Sequence, residues 1–261
     1  MKLKEGIYEQ VISNKIHEEI KNRENEINIQ KEEIEKEEAK IVLSKYLQEV
    51  TKKSLSLLKN KDLNKQIELC NQIINYLSTQ VEDEEIKENN IHKNGEILLS
   101  IEEKLNKSKI KNNNIRPITP ISQSYLFTNS NNEPDLINEL KREIASSDSI
   151  DILVSFIRWS GLRLIKDELI EHTKTKKLRI ITTSYMGASE FRAIKFLSQL
   201  PNTEIKISYD TQRTRLHAKS YMFNRNTGFT TAYIGSSNIS KDAMTTGLEW
   251  NMKVIFDSLE H

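Results

Sequence analysis

The sequence has few residues of the kinds that stabilise secreted or membrane proteins. Cys70 is the one cysteine among 261 residues, which excludes an internal disulfide and fits a reducing compartment. The chain begins without a charged-then-apolar leader, and it has no apolar run of about 18 residues. We therefore expect a cytoplasmic protein that neither is secreted nor contacts a membrane.

Proline and glycine are scarce and unevenly placed. Residues 1–115 contain no proline and two glycines, whereas all four prolines and the other five glycines lie beyond Arg116. Because both residues disfavour helix interiors, the first part is predicted to be all-α and the second part mixed α/β. The expected domains are a helical N-terminal region for dimerisation or partner contact (1–110), a linker and extended segment (111–132) and an α/β domain (133–258).

The last three residues are not expected to belong to any of these domains. Residues 259–261, Leu-Glu-His, resemble the start of a vector-encoded histidine tag and are left out of the fold. On this interpretation the natural protein continues beyond Ser258.

A strong excess of one charge is also missing. The chain has 39 Lys and Arg against 38 Asp and Glu, which disfavours a protein that coats nucleic acid through a uniformly basic surface. Residues 206–225 nevertheless carry five basic residues against one acid, Asp210. A concentration of positive charge suits an anionic ligand at one spot, although a solvated basic strand face is the alternative.

The N-terminal region shows apolar residues at helical spacing. Residues 62–81 have them at steps of three and four, with Asp62 as the expected N-cap, and residues 97–105 predict a further helix. Cys70 lies on the apolar side of the first of these and is expected in a core. His17 and His92 are expected at the surface, since no metal-ligand spacing surrounds them.

The second part alternates short apolar runs with helical patterns. Strands are predicted over 150–157, 178–185, 204–209, 216–224, 231–234 and 248–256, and helices over 133–145, 160–173, 188–200 and from Lys241. The order strand, helix, strand, helix, strand predicts right-handed crossovers and a mostly parallel mixed sheet between helices. Residues 150–157 are nearly all apolar and predict a central strand covered on both faces. Ser160 is the expected N-cap of its helix.

The chemistry-bearing residues are concentrated between Arg213 and Trp250. His217 and Lys219 alternate on a predicted strand, so their side chains are expected on one face. The turn Gly235-Ser236-Ser237-Asn238 follows, and then Glu249. Histidine can act as nucleophile or acid near neutral pH, and lysine, serine and asparagine donate to phosphate oxygens. A carboxylate can hold an imidazole in one tautomer.

This set resembles the motif of the phospholipase D superfamily, which is H-x-K, an aspartate and G-S-x-N. The resemblance implies a phospholipase D-like sandwich, with His217 as nucleophile, Lys219 and Asn238 as phosphate ligands, Ser236 as the serine of the pair and Glu249 as the supporting acid. It implies no metal and no cofactor. Asn224 stands where the motif has aspartate. A structural or histidine-orienting role for that position is therefore in doubt, and Glu249 is expected to carry more of that role.

The segments around the motif resemble one subgroup of this superfamily in particular. SFIRWSGLRLI, ITTSYMGASEF and YIGSSNIS are similar to the nuclease module that precedes a superfamily 2 helicase in bacterial restriction and phage-defence proteins. The implied function is a metal-independent endonuclease acting on DNA, with a helicase region C-terminal to it. One H-x-K copy is present where the superfamily uses two, so the resemblance implies a homodimer. His172 is expected at the surface and not as a second catalyst.

Other residues are candidates for substrate contact. Arg213, Arg215, Arg158 and Ser237 are expected to bind DNA phosphates, although Arg213 and Arg215 are equally suited to a salt bridge with Asp210. Trp250 either stacks on a base or packs, and packing is favoured. The alternatives to a nuclease are a non-catalytic DNA-binding or dimerisation module and a phosphodiesterase acting on lipid or other diesters.

Overall fold

A computed structural model describes residues 3–23, 25–58, 62–101, 115–130, 133–210, 212–213 and 215–256. The chain divides into two compact units, Met1–Glu102 and Glu103–His261. Residues 111–114 of the predicted linker and the tag remnant 259–261 lie outside the described residues. In the described part, no helix is both long enough and apolar enough to cross a membrane.

The first unit is helical. It contains α1 (Asn14–Lys21), α2 (Ala39–Leu57), α3 (Leu63–Val81) and α4 (Glu84–Glu88). The Asp62 carboxylate accepts from the backbone N–H of Asn64 and caps α3, as predicted. Cys70 is only half-buried, while Ile67 is buried. The predicted helix 97–105 is wrong in its described part, because residues 97–101 are irregular and their apolar side chains are exposed.

The second unit is an α/β domain built on one seven-stranded sheet. Its elements in chain order are β1 (Tyr125–Phe127), α5 (Leu136–Ser146), β2 (Ser149–Val154), α6 (Trp159–Thr173), β3 (Lys177–Thr183), α7 (Phe191–Ser198), β4 (Thr203–Ser208), β5 (Lys219–Asn224), β6 (Thr230–Gly235), α8 (Lys241–Met244) and β7 (Asn251–Phe256). The strand order is β1-β7-β6-β5-β2-β3-β4. The predicted α/β class with a mixed sheet is confirmed, and β1 is an unpredicted addition inside the extended segment.

The sheet is mixed, but it is not mostly parallel as predicted. β2–β3 and β3–β4 are parallel, whereas the other four pairings are antiparallel. A parallel neighbour needs a crossover of about a dozen residues or more. Residues 209–218 are too few for one and their described members form no helix, so β5 begins at the edge where β4 ends and runs antiparallel to β2.

Helices α5 and α6 pack side by side over one face of the sheet. Along β2, Ile150, Ile152 and Val154 are buried, while the alternate residues are only partly covered. On the other face the described side chains of Ile181 and Ile234 are exposed. The predictions of a strand covered on both faces and a sheet between helices are therefore wrong in this detail. A short apolar run does not reveal its period, and the polar residues of β2 lie on the open face.

Two predictions about helix α6, the N-cap at Ser160 and the surface position of His172, are wrong. It begins at Trp159, so Ser160 lies in its first turn and not at the cap. His172 is buried, and its ring nitrogens lie 3.1 Å from the Ile144 carbonyl oxygen and 3.3 Å from that of Lys177. Burial lowers the pKa of His172, against the two carbonyl hydrogen bonds, which raise it. His172 follows Leu169 by three residues, so it continues the buried stripe of the helix.

A cluster of charges is buried between α5 and the sheet. Lys253 has no exposed surface, and its Nζ lies 3.3 Å from one carboxylate oxygen of Glu139 and 3.3 Å from one of Glu143. The Arg225 guanidinium pairs with Glu143 at 2.5 Å, and the Tyr233 hydroxyl donates to both glutamates. Each charge in this cluster therefore has an opposite charge in contact, which is the condition under which buried ions are tolerated.

Candidate active site

One edge of the sheet gathers the motif residues. The carboxyl ends of the parallel strands β2, β3 and β4 lie at this edge. Val154 at the end of β2 is paired with Lys219 at the start of β5, and Gly235 at the end of β6 is paired with Asn251 at the start of β7. The loops that hold His217, Asn238 and Glu249 therefore meet here. Ligands of open α/β sheets bind at such an edge.

His217 and Lys219 are in contact. The Lys219 Nζ lies 2.9 Å from His217 Nδ1, 3.2 Å from Nε2 and 2.8 Å from the His217 carbonyl oxygen. His217 is exposed and precedes the strand, which starts at Lys219 and not at residue 216 as predicted. The Lys219 side chain is only 6% exposed. Burial lowers the pKa of the Lys219 ammonium, while the negative charge of Glu249 opposes that change.

Asn238 is held at the end of β2. Its Oδ1 accepts from the backbone N–H of Phe156 at 3.1 Å, and the next residue, Ile239, forms a parallel bridge with Ile157. Within the described residues its Nδ2 amide has no hydrogen-bond partner. The carbonyl end thus fixes the side chain, and the amide end is available to an anionic oxygen.

The two serines of the turn have structural partners. Ser237 is fully buried, where its hydroxyl donates to the Ala243 carbonyl and accepts from the Asn251 amide. The Ser236 hydroxyl accepts from the backbone N–H of Trp250 at 3.1 Å. The substrate contact of Ser237 stays a prediction, although its buried hydroxyl already has two protein partners. For Ser236, a role in phosphate binding stays a prediction.

Gly235 is the one residue of the turn whose small size is required. A Cβ atom added there would lie 2.0 Å from the Trp250 carbonyl oxygen and 2.7 Å from Asn251 Cα. No side chain fits at this distance, so β6 and β7 approach each other only because residue 235 is glycine. The close approach places Glu249 and Trp250 beside the turn.

Glu249 is half-buried near Lys219. Its negative charge acts on the Lys219 ammonium and, after burial, is the second cause that raises the pKa of the Tyr221 phenol. Among the described residues no hydrogen bond joins Glu249 to His217. The orienting role of Glu249 stays a prediction.

Asn224 lies at the opposite end of β5, about 17 Å from Lys219 at 3.4 Å per residue. Its Nδ2 donates to Asp151 Oδ2 at 3.2 Å, and the Asp151 carboxylate also accepts from Arg179. A carboxylate at residue 224 would face that of Asp151. The motif position is therefore structural in this chain, and an amide suits it better than an acid.

The predicted substrate-binding arginines are exposed at the same edge. The Arg215 guanidinium lies over the Tyr185 ring at 5.5 Å, and that of Arg158 over the Phe156 ring at 6.0 Å. Arg213 donates its backbone N–H to the Asp210 carboxylate. Sequence reasoning missed Phe156, whose signal was an aromatic residue near the carboxyl end of the predicted central strand 150–157. The favoured packing role of Trp250 is wrong, because its side chain is 67% exposed.

Comparison with protein families gives one match to this domain. Residues 140–259 match the family described as "Cardiolipin synthase, PLD-like domain". The described residues contain no group of three or more His, Cys, Asp or Glu side chains placed to hold a metal ion. A search of curated proteins found no match.

Three solved structures are similar to parts of the chain. NucT from Helicobacter pylori is 22% identical with a TM-score of 0.39, and the match covers 50% of this chain and 84% of NucT. Yeast tyrosyl-DNA phosphodiesterase is 10% identical with a TM-score of 0.35, covering 52% and 34%. Polyphosphate kinase from Porphyromonas gingivalis is 15% identical with a TM-score of 0.37, covering 54% and 22%. At these TM-scores the likenesses carry no inference about substrate.

Proposed function

We propose that the phospholipase D-like domain of this chain, residues 140–259, is a metal-independent DNA phosphodiesterase that acts through a covalent phosphohistidine on His217. The observation that carries the proposal is the contact between His217 and Lys219. A buried ammonium group lies 2.9 Å from an exposed imidazole nitrogen, at the edge where the Asn238 amide is also available. An anion that reaches His217 therefore meets a positive charge with little water around it, which strengthens the attraction.

The reaction proceeds in two displacements at phosphorus. In the first, an imidazole nitrogen of His217 forms a P–N bond while the bond from phosphorus to the leaving oxygen breaks, and that oxygen takes a proton. In the second, a water oxygen attacks phosphorus and gives a proton to the group that protonated the leaving oxygen, and the P–N bond breaks to release the phosphate ester. Lys219 and the Asn238 amide stabilise the charge on the non-bridging oxygens in both steps.

The proton for the leaving oxygen comes from a second copy of the chain in this proposal. One H-x-K set is present in the sequence, so a homodimer supplies His217 of the partner subunit as the acid. We further propose, from the resemblance of the surrounding segments, that the chain is the nuclease module of a larger helicase-containing restriction or phage-defence protein.

The test is cleavage of plasmid and single-stranded DNA in excess chelator by the wild type and by His217→Ala. We expect cutting that resists the chelator and is lost with His217. His92→Ala is the matched control, since His92 is an exposed histidine of the helical unit. Labelled DNA should also remain attached to the wild-type protein when the reaction is stopped with denaturant at alkaline pH. Absence of His217-dependent cutting by a dimer would contradict the proposal.

Two further measurements separate the alternatives. Sedimentation at micromolar concentration should show a dimer, and a monomer would remove the proposed acid. The matched family is named for a lipid enzyme, so a soluble phosphatidylcholine analogue should be compared with a nucleotide diester. Faster hydrolysis of the lipid analogue would favour the lipid alternative. DNA binding without any cleavage would favour a non-catalytic module.

A further inference from the structure

Arginine side chains lie over aromatic rings at three places beside the candidate site. The distances from guanidinium carbon to ring centroid are 6.0 Å for Arg158 and Phe156, 4.1 Å for Arg192 and Trp159, and 5.5 Å for Arg215 and Tyr185. These contacts are short enough for cation–π attraction, which holds each guanidinium group near its ring.

The three pairs follow the edge of the sheet away from Lys219. Phe156 lies two residues beyond the end of β2, the neighbour of β5, and its backbone N–H donates to Asn238 Oδ1. Tyr185 comes after β3, and Arg215 precedes His217 by two residues. Adjacent strands are about 4.8 Å apart, so β3 lies about 10 Å from β5. The pairs thus begin at the site and extend across two strands.

The positive charge of these pairs is available to a ligand. Arg158, Arg192 and Arg215 are exposed, and none of them forms an ion pair with another described residue. The two acids in the same loops accept from the backbone: Glu190 from the N–H of Trp159 at 3.0 Å, and Asp210 from that of Arg213 at 2.9 Å. The loops therefore expose three guanidinium groups beside partly buried rings, and each of their two exposed carboxylates accepts a backbone N–H.

We propose that the three pairs form a track for an unpaired strand of DNA, with bases stacked on the rings and phosphates bound by the guanidinium groups. Single strands bind in this way to grooves that combine positive charge with aromatic rings. A duplex keeps its bases stacked on one another, so it offers the track only its phosphates. This inference rests on the proposed function for the step at His217, to which the track delivers a phosphodiester.

Binding, measured without cleavage, tests the track. Fluorescence anisotropy of the His217→Ala chain should be recorded with a labelled oligonucleotide of roughly 15 nucleotides, within the span of known single-strand sites. A blunt duplex of the same sequence is the second probe. Tyr185→Ala should weaken single-strand binding about 5- to 100-fold and leave duplex binding nearly unchanged. Tyr185→Phe keeps the ring and should bind like the parent.

Arg215→Ala is the second variant, since an exposed side chain can be removed without loss of the fold. It should weaken single-strand binding and reduce the slope of log affinity against log salt by about 0.7, as expected for one lost phosphate contact. Arg163→Ala is the matched control, because Arg163 is an exposed arginine on α6 outside the track. It should change neither affinity nor slope.

Three results would overturn the track. These are equal affinity for single strand and duplex, a loss in Tyr185→Ala or Arg215→Ala no greater than in Arg163→Ala, and a shift from dimer to monomer in the Tyr185→Ala or Arg215→Ala chain, which would make the strip a subunit interface. The outcomes are separate from those for the proposed function. If the wild type cleaves DNA and the loss of Tyr185 has no effect, only the track is contradicted. If DNA binding depends on Tyr185 but the wild type does not cleave DNA, only the nuclease is contradicted.

Discussion

Lys219 and Lys253 are both buried in the same sheet, but their surroundings differ. Lys253 contacts two buried glutamates and the Thr119 hydroxyl. Among the described residues, the Lys219 ammonium hydrogen-bonds only to the ring and carbonyl oxygen of His217, and Glu249, the acid acting on it, forms no ion pair with it. A buried charge that is fully paired is part of the fold, whereas one left partly unpaired can receive an anion.

The same substitution at both positions gives the sharpest test of this contrast. Lys253→Met removes the cation and leaves two carboxylates buried without it. We expect the free energy of unfolding to fall by about 3–5 kcal/mol, measured by denaturant titration. Lys141→Met is the control, since Lys141 forms a partly exposed pair with Glu168 and its loss should cost under about 1 kcal/mol. Equal losses in the two variants would show that the cluster is not a paired network.

Lys219→Met should affect activity and not stability. We expect DNA cleavage to fall about 10²- to 10³-fold, as when one stabilising donor is removed. Because burial lowers the pKa of Lys219, the folded state gains by losing this charge, so stability should stay the same or rise by up to about 1 kcal/mol. Activity in chelator and a denaturant titration measure the two effects. A loss of stability like that of Lys253→Met would refute the contrast.

Asn224→Asp tests the far end of β5. The new carboxylate would face Asp151, so stability at neutral pH should fall by roughly 0.5–1 kcal/mol, and the loss should shrink when acid protonates the pair. Cleavage should not change, because the position is about 17 Å from Lys219. Higher activity in this variant would show that the motif aspartate acts on the site after all.

His172 gives the smallest expected effect. Its folded-state pKa is lowered by burial, so the unfolded state binds the proton more readily. The contribution of the neutral His172 to the free energy of unfolding is therefore fully present above the ordinary histidine pKa of about 6.5. It is lost as pH falls from there toward the lowered folded-state pKa. Unfolding measured between neutral and mildly acidic pH should show this dependence. His172→Gln should weaken it, and an unchanged dependence would assign it to other groups.

Much of the domain could be predicted from local pattern. The α5 to β4 elements follow apolar periodicity, and the Asp62 cap of α3 follows from one side chain next to an apolar repeat. The buried position of His172 was also readable, since it continues the three- and four-residue spacing of α6. The polar neighbours of His172 led to the wrong prediction of a surface position, because a histidine can be buried once two backbone carbonyls bind its ring.

The sequence by itself determined which residues carry chemistry: a histidine two positions before a lysine, a glycine followed by serines and asparagine, and a later glutamate. Tertiary structure decided the rest. It set the antiparallel entry of β5, the burial of Lys219, the structural hydrogen bonds of Ser237 and Asn224 and the pairing of arginines with aromatic rings. Each depends on contacts between segments far apart in the chain, whose energies no local pattern contains.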